Sequence, residues 1–191
     1  MNVYILCYET FTLFEIDLLS YMFNSREKAT IIGLDKSTIR AYENILVTPE
    51  YAIDEITPSP KDLLVIPGGN YKLIPENPKL KALLDIVFEK QYPIAAICAG
   101  VEYLDEHGYL KGYKTIKTTD NDVVVDRHLT TAKPNAFIEF ALETAKAFGV
   151  LGDEQGYKET VQFFKNIKTP EESQGGGEYE KQSIILCDSI F

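Results

Sequence analysis

The chain has 191 residues, 45% of them hydrophobic and 25% charged, with a formal net charge of −10. That length buries one core of ordinary size, so one globular domain is expected rather than a fibrous, disordered or multidomain chain. So acidic a surface, with no run of Lys and Arg, repels phosphate backbones, and no nucleic-acid partner is expected.

The first element in chain order is "VYILCY" (3–8), a continuous apolar run of strand length. Residues 10–23 then turn helical, with Phe14, Leu18, Tyr21 and Met22 at i, i+4, i+7 and i+8 as the expected buried face. "ATIIGLD" (29–35) is the next buried strand. "TIRAYENILVTPEYAI" alternates, carries Asn44 at a turn, and reads as a hairpin or edge excursion. "DLLVIPGG" (62–69) is another buried strand, ended by Pro67, Gly68 and Gly69. In "NPKLKALLDIVFEKQYP" the positions of Leu80, Leu83, Leu84, Val87 and Phe88 predict a helix, with Asn77 as N-cap and Pro78 at its first position. "IAAIC" (94–98) is a further core strand, and residues 99–107 form a short helix stopped by Gly108. "KTIKTT" and "VVVDRHLTTA" read as strands, and "NAFIEFALETAKAFG" as a helix built on Phe137, Phe140, Ala141 and Phe148 with Gly149 at its end.

Apolar strands alternating with amphipathic helices predict an α/β fold, a parallel sheet covered on both faces. The domain is expected to span residues 1–168. From 169 to 191 the composition becomes that of a flexible linker, "TPEESQGGGEYEK", followed by a short apolar end, "QSIILCDSIF".

Cys7, Cys98 and Cys187 are too few and too scattered for a disulfide framework, and His107 and His128 stand alone, so neither a metal nor a cofactor is expected. "MNVYILCYETF" has no basic n-region or cleavage site, and no apolar stretch approaches the ~20 residues that span a bilayer. The expectation is a reduced, cytoplasmic protein with no membrane partner.

Cys98 stands where a buried strand stops and a helix begins. Open α/β sheets bind ligands beyond the carboxyl ends of their strands, and Gly68 and Gly69 end another strand in the same way. A sharp strand-to-helix turn needs small neighbours, which Ala99 and Gly100 provide. The helix N-terminus is then expected to lower the thiol pKa and favour a thiolate. Cys7, in mid-strand with no turn after it, reads as an inert core cysteine.

The ordered set "YETFTLFEIDLL", "LLVIPGGN", "AAICAG", "YLKGYK" and "VVVDRHLTTAKPNAFIEFALE" resembles the ThiJ/PfpI superfamily, within the class I glutamine-amidotransferase-like group, over about residues 2–150. The resemblance implies a flavodoxin-like three-layer α/β/α sandwich with a nucleophile elbow, and a homodimer. By position, Cys98 matches the family's nucleophile and Glu15 the acid that hydrogen-bonds to it. Gly69 and Ala99 match the residues whose backbone N–H groups face the oxyanion. The sequence also departs from the family. Ala99 stands where family peptidases carry histidine, and "KTIKTTDNDVVVD" lacks the histidine other members have there. No His–Glu pair of a glutaminase is present. Glu102, four residues past Cys98, is expected to point to solvent, where it would not oppose a thiolate.

Two functions follow from these residues. One is a small-molecule enzyme (hydrolase, deglycase or glyoxalase-like) acting through a Cys98 thiolate. The other is a redox or stress sensor in which Cys98 is oxidised with little turnover. A binding domain that recruits a partner through its tail is a third reading. Peptidase activity is not expected, because no histidine is placed to carry the proton.

Overall fold

The computed structural model describes residues 1–24 and 28–168. The apolar runs become β1 (Asn2–Cys7), β2 (Lys28–Gly33), β6 (Leu63–Ile66), β7 (Ile94–Ile97) and β9 (Leu129–Ala132). Short strands β3 (Ile39–Arg40), β4 (Leu46–Val47), β5 (Tyr51–Ala52) and β8 (Val123–Asp126) complete the set, with helices α1 (Phe14–Asn24), α2 (Pro78–Glu89), α3 (Ala99–Glu106), α4 (Phe137–Ala147) and α5 (Glu154–Phe164).

Seven strands form one sheet in the order β5-β2-β1-β6-β7-β9-β8. All pairs are parallel except β8 with β9. The central strands read as unbroken apolar runs because both sheet faces are covered: every residue of β6 and β7 is buried. Chain order reverses between β1 and β6. From β1 the chain crosses through α1 to β2 on one side, and from β6 it crosses through α2 to β7 on the other. Right-handed crossovers in opposite directions put α1 and α2 on opposite faces. The crevice at that reversal is where an open α/β sheet receives a ligand.

On the α1 face, edge-to-face ring pairs join three helices: Phe14 with Phe137 (5.3 Å), Phe23 with Phe148 (5.7 Å) and Tyr21 with Phe164 (6.2 Å). The α2 N-terminus forms as the sequence predicts, Asn77 Oδ1 accepting from the N–H groups of Lys79 and Leu80 ahead of Pro78. The 39–47 segment is the expected hairpin, with Asn44 at φ 66° in its turn.

Three expectations need correction. The helix after β1 begins at Phe14, not Thr10, because Thr10 takes φ 67° and Phe11 bridges to Gly69. Its buried face is Glu15, Ile16, Leu19, Met22 and Phe23, whereas Phe14 and Tyr21 are exposed. "KTIKTT" is not a strand: Thr115 accepts through its carbonyl from Thr118 and Thr119, folding the segment into turns. The linker and apolar end, with Cys187, lie outside the described residues.

Candidate active site

Four segments meet beyond the carboxyl ends of β1, β6 and β7. The first is the elbow. Cys98 leaves β7 at φ 56° and ψ −128°, a conformation that costs a non-glycine residue of order 1–3 kcal/mol. The surrounding packing holds it there. Its N–H still pairs with Ala132 O of β9 at 3.0 Å, and α3 begins at the next residue. Gly100 lets α3 start so close to the sheet, because a β-carbon there would lie 2.5 Å from Ile66 O and 2.7 Å from Pro67 O.

The second segment is the glycine pair after β6. A β-carbon on Gly68 would sit 2.5 Å from Glu15 Oε2 and 2.8 Å from Cys98 Sγ. Gly69 adopts φ 125°, and a β-carbon on it would lie 2.3 Å from Thr10 O. The third segment is therefore the β1–α1 loop, which lies directly against the glycines. Thr12 N–H donates to Gly68 O at 2.9 Å, and the Tyr8 hydroxyl donates to the carbonyls of Pro67 (3.1 Å) and Gly68 (2.8 Å). The fourth is the first turn of α1, which carries Glu15.

Glu15 is only 3% exposed. Its Oε2 accepts from Gly68 N–H at 2.7 Å, and its carboxyl hydrogen-bonds to the Cys98 thiol. The backbone N–H groups of Ala99 and Gly69 both donate to the sulfur. The residues matched by position (Cys98, Glu15, Gly69 and Ala99) thus lie together around one sulfur atom.

The electrostatics differ from the expected simple thiolate. Burial, the nearby Glu15 charge and the hydrogen bond to Glu15 push the Cys98 thiol up to about 11, against the two N–H donors that lower it. Burial also raises Glu15, with the Glu43 charge acting in the same direction, while the hydrogen bonds to Cys98 and Gly68 oppose it. The helix N-terminus alone does not decide the matter. Two acidic groups in contact cannot both ionise readily, so ionisation of either one opposes ionisation of the other. Cys7 is fully buried, and burial alone pushes its thiol up.

The remaining polar residues are turned elsewhere. Glu102 pairs with Lys117, which also meets Asp105 at 2.9 Å, so it faces a cation at the surface as expected rather than the sulfur. His107 closes α3 at its far end, its Nδ1 2.8 Å from Tyr103 O. His128 lies in the β8–β9 turn, where its carbonyl accepts from Ile94 N–H at the start of β7. The length of β7, roughly 13 Å at the rise of a strand, separates that point from Cys98. Among the described residues no group of three or more His, Cys, Asp and Glu side chains could hold a metal ion, and no helix is long and apolar enough to cross a membrane.

Sequence reasoning missed Tyr8 and Glu43. Glu43 accepts at 3.1 Å from each of the N–H groups of Leu13 and Phe14, at the start of α1. An acid in a hairpin turn reads as a solvated charge, and nothing in its spacing marks that contact.

Residues 1–147 match the DJ-1/PfpI family. The chain is 30% identical over 145 residues to a Bacillus subtilis protein described as an uncharacterized protease, an alignment covering 64% of this chain and 67% of that one. It is 33% identical over 89 residues to a deglycase of Thermococcus kodakarensis, covering 46% of this chain and 54% of the relative. With a glutathione-independent glyoxalase of Caenorhabditis elegans it shares 27% identity over 128 residues, 58% of this chain and 68% of the other. The matched regions thus span about half to two thirds of these relatives' lengths. A ThiJ/PfpI family protein from Bacillus anthracis superposes with a TM-score of 0.77 at 22% identity, over 91% of this chain and 94% of that one. The oxidized DJ-1 of Toxoplasma gondii gives 0.71 at 20% identity, over 85% and 96%. Sequence match and shared α/β sandwich agree, and the chain belongs to the DJ-1/PfpI family.

Proposed function

We propose that the protein is a cysteine-dependent enzyme acting on a small reactive carbonyl compound, with Cys98 as nucleophile and Glu15 as its proton partner. The observation that carries this reading is the convergence on one sulfur of a buried carboxyl and two backbone N–H groups. With the shared proton on Glu15, the sulfur is the anion and attacks the carbonyl carbon. A C–S bond forms, the π pair moves to oxygen, and the N–H groups of Gly69 and Ala99 stabilise that oxygen. Glu15 then returns its proton to the oxygen, leaving a hemithioacetal on Cys98 and a carboxylate on Glu15. Deglycase and glyoxalase are the activities named for two of the relatives.

A second reading has a specific observation behind it. Among the described residues neither histidine approaches the sulfur, and that suits a thiol used for oxidation more than one used for turnover. Here the Cys98 thiolate displaces hydroxide from hydrogen peroxide, giving a sulfenic acid. Peptidase activity is proposed for neither reading. Without a histidine to take the thiol proton and pass it to the leaving amine, the loss is on the order of 10³ or more in rate.

One experiment separates the readings: purified protein is incubated with a reactive dicarbonyl, with hydrogen peroxide and with unfolded casein, followed by product analysis and intact mass. The enzyme reading predicts many turnovers of dicarbonyl per chain, abolished in Cys98→Ser, with casein left whole. Oxygen addition at Cys98 without dicarbonyl turnover favours the sensor, and Cys98-dependent cleavage of casein overturns both. We further propose a cytoplasmic homodimer built from a 1–168 domain with a 169–191 tail. Exposure of Tyr42, Ile45 and Leu46 on the hairpin supports the dimer, and light scattering at a single monomer mass would contradict it.

A further inference from the structure

The positive end of α1 is capped from outside the helix. Leu13 N–H donates to Glu43 Oε2 and Phe14 N–H to Glu43 Oε1, each at 3.1 Å, across some thirty residues of chain. The hairpin that carries Glu43 is fastened to the β1–α1 loop. Thr10 N–H donates to Arg40 O and Tyr42 N–H to Phe11 O, both at 2.8 Å, and Arg40 N–H donates to Glu9 Oε2 at 3.1 Å. Within the hairpin, Ala41 N–H to Ile45 O and Asn44 N–H to Ala41 O, both 2.9 Å, set the turn.

Glu15 is the second residue of α1. A carboxylate at that position is ordinarily favoured by the free N–H groups and the dipole of the helix end. An uncapped helix end would favour an ionised Glu15 more strongly. Glu43 fills two of those N–H groups and sets a full negative charge at the same end. Both effects disfavour a second carboxylate one residue further along.

We propose that Glu43 is a positioning residue for the shared proton: by capping α1 from the hairpin, it shifts that proton from Cys98 toward Glu15 and so raises the share of thiolate. This rests on the reading of Cys98 and Glu15 as the reactive pair. The other charged and titratable groups around the pair are accounted for. From β1 and its loop come Tyr8, spent on the carbonyls of Pro67 and Gly68, and Glu9, held by Arg40 N–H. From the hairpin comes Arg40, whose guanidinium donates to Asn44 Oδ1 at 2.7 Å. From α1 comes Asp17, exposed on the outer face, and from the elbow Cys98 itself.

The test is the pH profile of Cys98 alkylation by iodoacetamide, resolved by peptide mass, in the full chain and in Glu43→Gln. Glutamine removes the charge and keeps one oxygen to accept from Leu13 or Phe14, while its NH2 group gives up the other contact. Near neutral pH the variant should alkylate roughly three- to tenfold more slowly at Cys98, as expected for loss of one nearby charge. The difference should shrink as ionic strength rises from about 0.01 to about 1 M, because the Debye length falls from ~30 to ~3 Å. In a Glu15→Gln background, Glu43→Gln should have no effect, since its influence runs through Glu15. An unchanged profile in Glu43→Gln, with Glu15→Gln still altering it, overturns this inference and leaves the proposed function standing. The same holds if Glu43→Gln lowers only the thermal midpoint, which is the mark of a structural cap. If neither Gln variant alters the profile, the reactive pair itself is wrong.

Discussion

Gly68 is where the site has least room. A β-carbon there would meet Glu15 Oε2, Cys98 Cβ and Cys98 Sγ at 2.5, 2.7 and 2.8 Å, so Gly68→Ala has to part the carboxyl from the sulfur. The contacts at risk are side chains at the crevice, and the variant should fold while losing the sharing of one proton. Its Cys98 alkylation profile should then follow that of Glu15→Gln rather than the native one. A Gly68→Ala profile identical to the native one would mean that the two groups do not need to touch. At this scale the sequence was partly legible. Cys98, Ala99, Gly100 and the glycine pair announce themselves, because a tight elbow beside a second strand end admits only small residues. Glu15 was legible only through family resemblance, since an acid in a helix's first turn is ordinary on its own. The thiol's rise to about 11 was not legible, because it depends on burial and on a carboxyl eighty-three residues away in sequence (98 − 15).

At the scale of elements, local signals worked where the chain itself supplies the partner. Asn77 and Pro78 predict the start of α2, and the structure returns the cap in full. Asn77→Ala leaves the N–H groups of Lys79 and Leu80 without that acceptor, and should cost about 1 kcal/mol in urea unfolding. A change near zero would show that solvent replaces the cap without loss. Local signals failed where a distant segment decides. Residues 10–13 match the helical pattern, yet Phe11 pairs with Gly69 and Thr12 donates to Gly68, which keeps the segment out of the helix until Phe14. The buried face of α1 was misplaced for a related reason. Glu15 turns inward to the crevice and takes Ile16 and Leu19 with it, leaving Phe14 outside to meet Phe137 of α4. An inward-facing acid is the one feature that a hydrophobic pattern cannot anticipate.

For the molecule as a whole, alternation of apolar strands with amphipathic helices was enough to give the parallel sheet and its two covered faces. The strand order was not, because the reversal between β1 and β6 leaves no local trace. That reversal brings the ends of β1, β6 and β7 to one crevice, while His128 stays at the far end of β7. His128 packs among Phe88 and Tyr113, its Nδ1 buried with no hydrogen-bond partner among the described residues. Burial and then the Arg127 charge lower its pKa below 6.5. The folded state therefore binds fewer protons than the unfolded one, and this contribution to stability is lost as pH falls from 6.5 through the lowered value. The stability advantage of the native chain over His128→Asn should accordingly shrink on acidification, read from urea midpoints, whereas a difference independent of pH would mean that His128 does not titrate on unfolding. The central claim, that Cys98 and Glu15 share one proton in the crevice, is tested most directly by site-resolved alkylation of Cys98 against pH in the native chain and in Glu15→Gln. The native rate should rise in two steps, as the pair loses its first and then its second proton, and Glu15→Gln should leave a single step, with Cys7 unreactive in both. A single step in the native chain that Glu15→Gln does not move, or labelling of Cys7 ahead of Cys98, would contradict it.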